Sequence, residues 1–215
     1  MRYAFHDQLD GVFTDLAAIC RRVEEAVRLA TEALLTGTAD VAERVISGDV
    51  EIDQARERVE DTAFSLLSLQ APVAGDLRVV VAALRMVSEL ERMGDLSVHV
   101  AKIARLRTPN IAVPEQARPI IARMAEVAED MVSRTAAIIA ERDVDQAAEL
   151  RRDDEEMDGL RRASFAELLG DDWTAGVEAA VDVALLGRYY ERIADHAVSV
   201  AGRVVFVVTG ETMAS

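Results

Sequence analysis

Apolar residues recur at three- and four-residue steps along almost the whole chain. Leu9, Val12, Leu16, Ile19, Val23, Val27, Ala30 and Leu34 form one such stripe, which stops at Gly37. That spacing is one face of an amphipathic helix. A second helix is predicted from about Ala39 to Leu69, ending at Gln70-Ala71-Pro72. A third runs from near Asp76, read as its N-cap, to about Leu106. Thr108-Pro109-Asn110 and Pro114 then interrupt the pattern. The fourth helix covers roughly Glu115 to Arg142, with Ile120, Met124, Val127, Met131, Ile138 and Ile139 inside. The fifth covers Val144 to Leu169. Gly170-Asp171-Asp172 breaks the chain, with an Asp set to cap a sixth helix from about Trp173 to Val208. No segment alternates with a period of two. The fold class is therefore all-α: six helices, built as a tandem duplication of a three-helix bundle. Short links imply antiparallel neighbours, with one bundle in 1–108, the other in 109–215, and the joint around 107–114.

The duplication is written in the residues. Glu91-Arg92-Met93-Gly94-Asp95 recurs 100 residues later as Glu191-Arg192-Ile193-Ala194-Asp195. The flanks agree: Val98 with Val198, Val100 with Val200, Ala101 with Ala201. One face of the third helix reads Leu77, Val81, Leu84, Ser88, Glu91, Asp95, Val98. The sixth reads Val177, Val181, Ala184, Arg188, Glu191, Asp195, Val198. In both, acids interrupt an apolar stripe. The second and fifth helices carry a matching feature. Asp49 and Asp53 have an apolar residue, Ile52, just before the second acid and Arg56 three further on. Asp154 and Asp158 have Met157 and Arg161 in the same places. The offset there is 105, so five residues of length difference are expected in the helix-to-helix turn.

Composition narrows the chemistry. Gly (11), Pro (4) and aromatics (4%) are scarce in these 215 residues, which suits packed helices. A net charge of −15 and a pI near 4.6 repel phosphate backbones and anionic lipid, so nucleic acid is excluded as an expected partner. Basic protein surfaces and metal cations fit better. Cys20 alone supports no disulfide and suits a reducing cytosol, so the expected location is cytoplasmic. The N-terminal stretch lacks a signal-peptide core, and no apolar run is long enough to span a bilayer.

Four carboxylates per half are the candidate site. An antiparallel bundle turns Asp49 and Asp53 towards Glu91 and Asp95, and Asp154 and Asp158 towards Glu191 and Asp195. Clusters of this kind suit divalent cations, with Fe, Zn, Mn, Mg and Ca all open. With 39 acids in the chain, chance alone gives roughly seven acidic i,i+4 pairs, and arginines also neutralise such acids as plain salt bridges. The duplicated Glu-Arg-x-x-Asp with matched flanks is what favours a site. Two rivals stay open: a hydrolase or redox enzyme using carboxylate-bound cations, and a helical scaffold without metal. No catalytic device is visible, neither Glu-x-x-His nor a Gly-rich phosphate loop nor a nucleophile elbow. His6, His99 and His196 read as surface or core residues, the last two lying near the acids. The methionines read as core filler.

These motifs resemble the PhoU family of bacterial phosphate-signalling regulators. Besides the two Glu-Arg-x-x-Asp segments, the similarity takes in Phe5-His6-Asp7-Gln8-Leu9, Asp49-Val50-Glu51-Ile52-Asp53, Gln70-Ala71-Pro72-Val73-Ala74, Asp76-Leu77-Arg78, Tyr190, His196 and Val207-Val208-Thr209-Gly210-Glu211. The pattern departs from the family at Gly48, where another acid is common, and at His99 and Ser199, where Asn is common. The resemblance implies tandem three-helix bundles with metal-binding acidic motifs and a non-catalytic role. It further implies restraint of phosphate uptake when phosphate is plentiful. The partners it implies are a phosphate-sensing histidine kinase and the ATPase of the phosphate transporter. Self-association as a homodimer stays open.

Overall fold

The computed structural model describes the backbone of residues 2–212 and the side chains of residues 7–69 and 71–212; the side chains of Phe5, His6 and Gln70 lie outside the described residues. Six helices follow one another: α1 Arg2–Thr36, α2 Ala39–Gln70, α3 Gly75–Arg107, α4 Arg118–Glu141, α5 Val144–Leu168 and α6 Gly176–Thr209. No strand occurs among the described residues. α1, α2 and α3 pack on one another, and so do α4, α5 and α6. The two sets join through α1 against α4 and α3 against α6, leaving α2 and α5 on the outside.

The apolar stripes explain this arrangement. Leu16, Ile19, Cys20 and Val23 of α1 are buried with Met124, Met131, Ile138 and Ile139 of α4. Met86, Leu90 and Met93 of α3 and Tyr190 and Ile193 of α6 are equally buried, in one continuous core. Burying side chains of this size contributes about 1.5–3 kcal/mol each. The polar tips inside are satisfied. The Tyr190 hydroxyl lies 2.8 Å from that of Thr31, and the Cys20 thiol donates to the Val132 carbonyl at 3.5 Å. Burial pushes the Cys20 thiol well above its ordinary range, so it is an inert core residue.

α3 and α6 run antiparallel. Arg107 near the end of α3 pairs with Glu178 and Asp182 near the start of α6 (Nε–Oδ2 2.6 Å). At the opposite end Arg78 lies over the Phe206 ring, 5.6 Å from its centroid. Gly210 closes α6 at φ 82°, and a Cβ there would sit 2.4 Å from the Arg78 guanidinium. Glycine is thus favoured by the left-handed cap, while the flexible Arg78 tip could shift aside for a side chain. α1 ends in the same way at Gly37, φ 71°. α4 ends at Arg142, φ 55°, where a left-handed residue with a side chain costs roughly 1–2 kcal/mol. Arg142 offsets this by bonding Asp10 at 2.5 Å and lying 4.5 Å from the Phe13 ring centroid.

Three expectations about helix ends require correction. α3 begins at Gly75, so Asp76 is inside the first turn and favours the helix dipole instead of capping. α6 begins at Gly176, leaving Asp171, Asp172 and Trp173 in the preceding turn. There the Trp173 indole donates to the Gly176 carbonyl at 2.9 Å. α4 begins at Arg118, after Glu115, because Pro119 suits a first helical turn. The length difference between halves lies mainly in the helices. α2 ends at Gln70, well past Asp53, whereas α5 stops at Leu168, sooner after Asp158, and a longer turn, 169–175, follows it.

Candidate functional site: two acidic helix faces

The duplication extends to burial. Met86, Val87, Leu90, Met93 and Ala101 are wholly buried, and their counterparts Leu186, Gly187, Tyr190, Ile193 and Ala201 are buried in the same register. That register carries the acids to the edge of the core. Glu91 is half-buried and Glu191 buried, while Asp95 and Asp195 are exposed. On the outer helices Ile52 and Met157 anchor the core side, so Asp49, Asp53 and Asp154 stand half-buried and Asp158 exposed beside them.

In both halves the acids act on one another across the helix pair. Asp49 is pushed above the usual carboxylate range, first by burial, then by the charges of Asp95 and Asp53. Glu91 is raised by burial and by Asp95, with Arg56 opposing. Asp154 is raised to about 6 by burial, then by Asp195, Asp158 and Glu191. Asp195 is raised by burial and Glu191, with Arg188 and His196 opposing. Upward shifts caused by burial and like charge mean negative charge in excess of its local compensation. As the side chains stand, no group of three or more Asp, Glu, His or Cys among the described residues is disposed to hold a metal ion.

The arginines treat the halves differently. Arg161 approaches Glu191 at 3.2 Å and Arg188 pairs with it from one turn earlier. In the first half Ser88 stands where Arg188 does, and Arg56 turns away from Glu91, to Glu60 at 2.9 Å and Asp53 at 3.9 Å. No ion pair reaches Glu91 among the described residues. The Ser88/Arg188 difference is visible in the sequence. What sequence reasoning missed is Gly94. A Cβ there would meet Ile52 Cδ1 at 3.1 Å and Asp49 Oδ1 at 3.5 Å, so this glycine lets α2 approach α3 beside the acids. His99 and His196 border the acid faces, acting electrostatically on Asp49 and Asp195, but hydrogen-bond or stack elsewhere. His99 stacks on Tyr189 with ring centroids 5.3 Å apart, and His196 Nδ1 lies 2.6 Å from Glu89 Oε2. No helix among the described residues is long and apolar enough to cross a membrane.

Comparison with known proteins gives a consistent picture. The PhoU domain matches over residues 16–104 and again over 121–204, one copy for each half. The phosphate-specific transport system accessory protein PhoU homolog 2 of Mycobacterium tuberculosis is 46% identical over 210 residues, covering 98% of this chain and 99% of that one. PhoU homolog 1 of Mycobacterium leprae is 45% identical, covering 98% and 95%. The crystal structure of PhoU from Pseudomonas aeruginosa superposes with a TM-score of 0.88 at 26% identity, covering 96% of this chain and all of that one.

Proposed function

The chain belongs to the PhoU family, and from that premise we propose that it is a negative regulator of phosphate uptake and phosphate-starvation signalling. It acts as a helical adaptor in the cytoplasm, between the ATPase of a phosphate transporter and a sensor histidine kinase. The observation that carries this reading is full-length similarity to proteins named accessory to phosphate-specific transport, with the Glu-Arg-x-x-Asp duplication intact. It works by binding, without catalysis of its own.

Divalent cations complete the reading. Asp49, Asp53, Glu91 and Asp95 would hold one, and Asp154, Asp158, Glu191 and Asp195 another. The fit rests on the raised affinity of Asp49 and Glu91, and of Asp154 and Asp195, for protons, since a group that seeks a proton to relieve repulsion accepts a cation for the same reason. The first half fits better because no arginine is ion-paired to Glu91 among the described residues. In the second half the Glu191 oxygens are shared with Arg161 and Arg188. A bound cation would supply charge compensation that ties α2 to α3 and α5 to α6, a structural and not a chemical contribution.

Deletion in the host tests the regulatory role. Phosphate uptake and starvation-gene expression should rise in phosphate-rich medium and return to normal on complementation. Unchanged uptake and expression, in a strain also lacking any paralogue, would reject it.

A further inference from the structure

In a chain of net charge −15 many arginines serve acids. Arg28, Arg107, Arg123, Arg134 and Arg142 are all ion-paired. A cavity of about 360 Å³ in the groove between α3 and α6 gathers arginines that do not. Arg85, Arg92 and Arg203 line it together with Ser88, Glu89 and His196. None of the three arginines is ion-paired among the described residues. The one acid in the wall, Glu89, is engaged by His196 across the groove at 2.6 Å. The cavity thus presents three guanidinium groups and a hydroxyl around a space at the small end of ligand pockets.

The duplication supplies an internal control. The pseudo-equivalent positions on the other side of the α3–α6 pair are Leu185, Arg188, Tyr189, Arg192, Leu96 and Ile103. There Tyr189 stacks on His99, Leu96 and Ile103 are buried, and Arg188 is drawn to Glu191. Where Arg203 and His196 stand on one side of the duplicated helix pair, the other side has the buried Ile103 and Leu96, and where Arg85 stands it has Leu185. The duplication thus keeps a basic, hydroxyl-bearing wall on one side only.

We propose that this groove between α3 and α6 is an oxyanion site for a phosphate-type group, either free phosphate or the phosphoryl end of a small phosphomonoester. Guanidinium groups suit the planar, bidentate hydrogen bonding that tetrahedral oxyanions accept, and Ser88 adds a neutral donor. The site borders the acidic faces through Ser88, Arg92 and His196 but contains none of their eight carboxylates and needs no metal, so metal-free protein tests it separately from the cation reading. It also joins the two halves, because Arg85 and Arg92 come from the first and Arg203 from the second. An anion here would bridge them.

Calorimetric titration of the full chain, freed of metal by chelator, tests the site, using inorganic phosphate in one arm and glycerol phosphate in the other. Saturable binding is expected near one equivalent. Tighter binding of the ester would identify an organic phosphate as the occupant, and equal binding would identify the phosphoryl group alone. Arg85→Ala with Arg203→Ala should weaken binding by on the order of a hundredfold, about tenfold for each charge-assisted bond removed. Arg85→Ala alone, at an exposed position, gives the same reading should Arg203→Ala disturb packing. Arg192→Ala should leave affinity unchanged. The proposal is overturned if neither anion saturates at millimolar concentration, if binding needs a divalent cation, or if Arg192→Ala weakens it as much as Arg85→Ala.

Discussion

The first-half acidic face and its copy in the second half begin from the same five-residue motif and end in different electrostatic states. Both place four carboxylates on an antiparallel helix pair, and in each half burial and like charge raise the proton affinity of two of them, Asp49 and Glu91 in the first and Asp154 and Asp195 in the second. In the second half Glu191 is buried between two guanidinium groups. In the first half Glu91 faces Asp95 with only the more distant charges of Arg56 and Arg92 opposing. One substitution, Ser88 against Arg188, accounts for much of this. A duplicated motif therefore preserves where charge is put but not how it is balanced, because balance depends on neighbours one turn away that the motif does not include.

Metal dependence is the strongest way to break the comparison. A divalent cation at a hundredfold excess over its Kd should stabilise the folded chain by about 2.7 kcal/mol per site. We expect Asp49→Asn with Asp95→Asn to remove the larger share of that gain, and Asp154→Asn with Asp195→Asn the smaller. Calorimetric melting with Mn²⁺, Zn²⁺, Mg²⁺ or chelator reads it, with Trp173 fluorescence as a second probe. Equal losses would remove the asymmetry, and a wild-type chain indifferent to all cations would remove the sites.

Next in size is a difference of sign in metal-free protein. Glu191→Gln leaves Arg161 and Arg188 without their acid and should destabilise by roughly 1–2 kcal/mol, below the usual value for a buried pair because both arginines are partly exposed. Glu91→Gln removes a charge repelled by Asp95 and should be neutral or slightly stabilising. Urea midpoints of the two variants decide the matter, and shifts in the same direction would mean that the two glutamates are equivalent after all.

The smallest effect is on pH dependence in chelator. Asp154 titrates at about 6 in the folded chain, above its unfolded value. The stability linked to it is fully present below the unfolded value and is lost as pH rises through about 6. Melting temperature should therefore gain a component on acidification from pH 7 towards 5, on top of the chain's other titrations. Asp154→Asn should flatten that component. An identical pH profile for variant and wild type would show that Asp154 is already compensated.

Helix number, order and most boundaries were legible in the sequence because a 3.6-residue apolar period, sustained over long segments, leaves few alternatives. The ends were less legible. Asp76 and Asp172 look like caps by residue type, yet the backbone turns at Ala74 and Ala175, where the loop geometry rather than a side chain sets the start. The acids were legible through repetition. Gly94 was not, since a helical glycine among apolar residues signals a close approach only once the opposite helix, carrying Ile52 and Asp49, is known.

By itself the sequence determined the all-α class, the duplication and which acids recur in both halves, because periodicity and repetition are properties of a single chain. Only the tertiary structure decided that α3 and α6 cross antiparallel at the centre, that Arg188 and Arg161 neutralise one glutamate while its twin is left exposed to repulsion, and that three arginines from two halves meet in one groove. Those outcomes depend on which side chains, distant in sequence, come within reach. Coulomb and hydrogen-bond energies fall steeply over a few ångströms, so a one-dimensional pattern does not contain them.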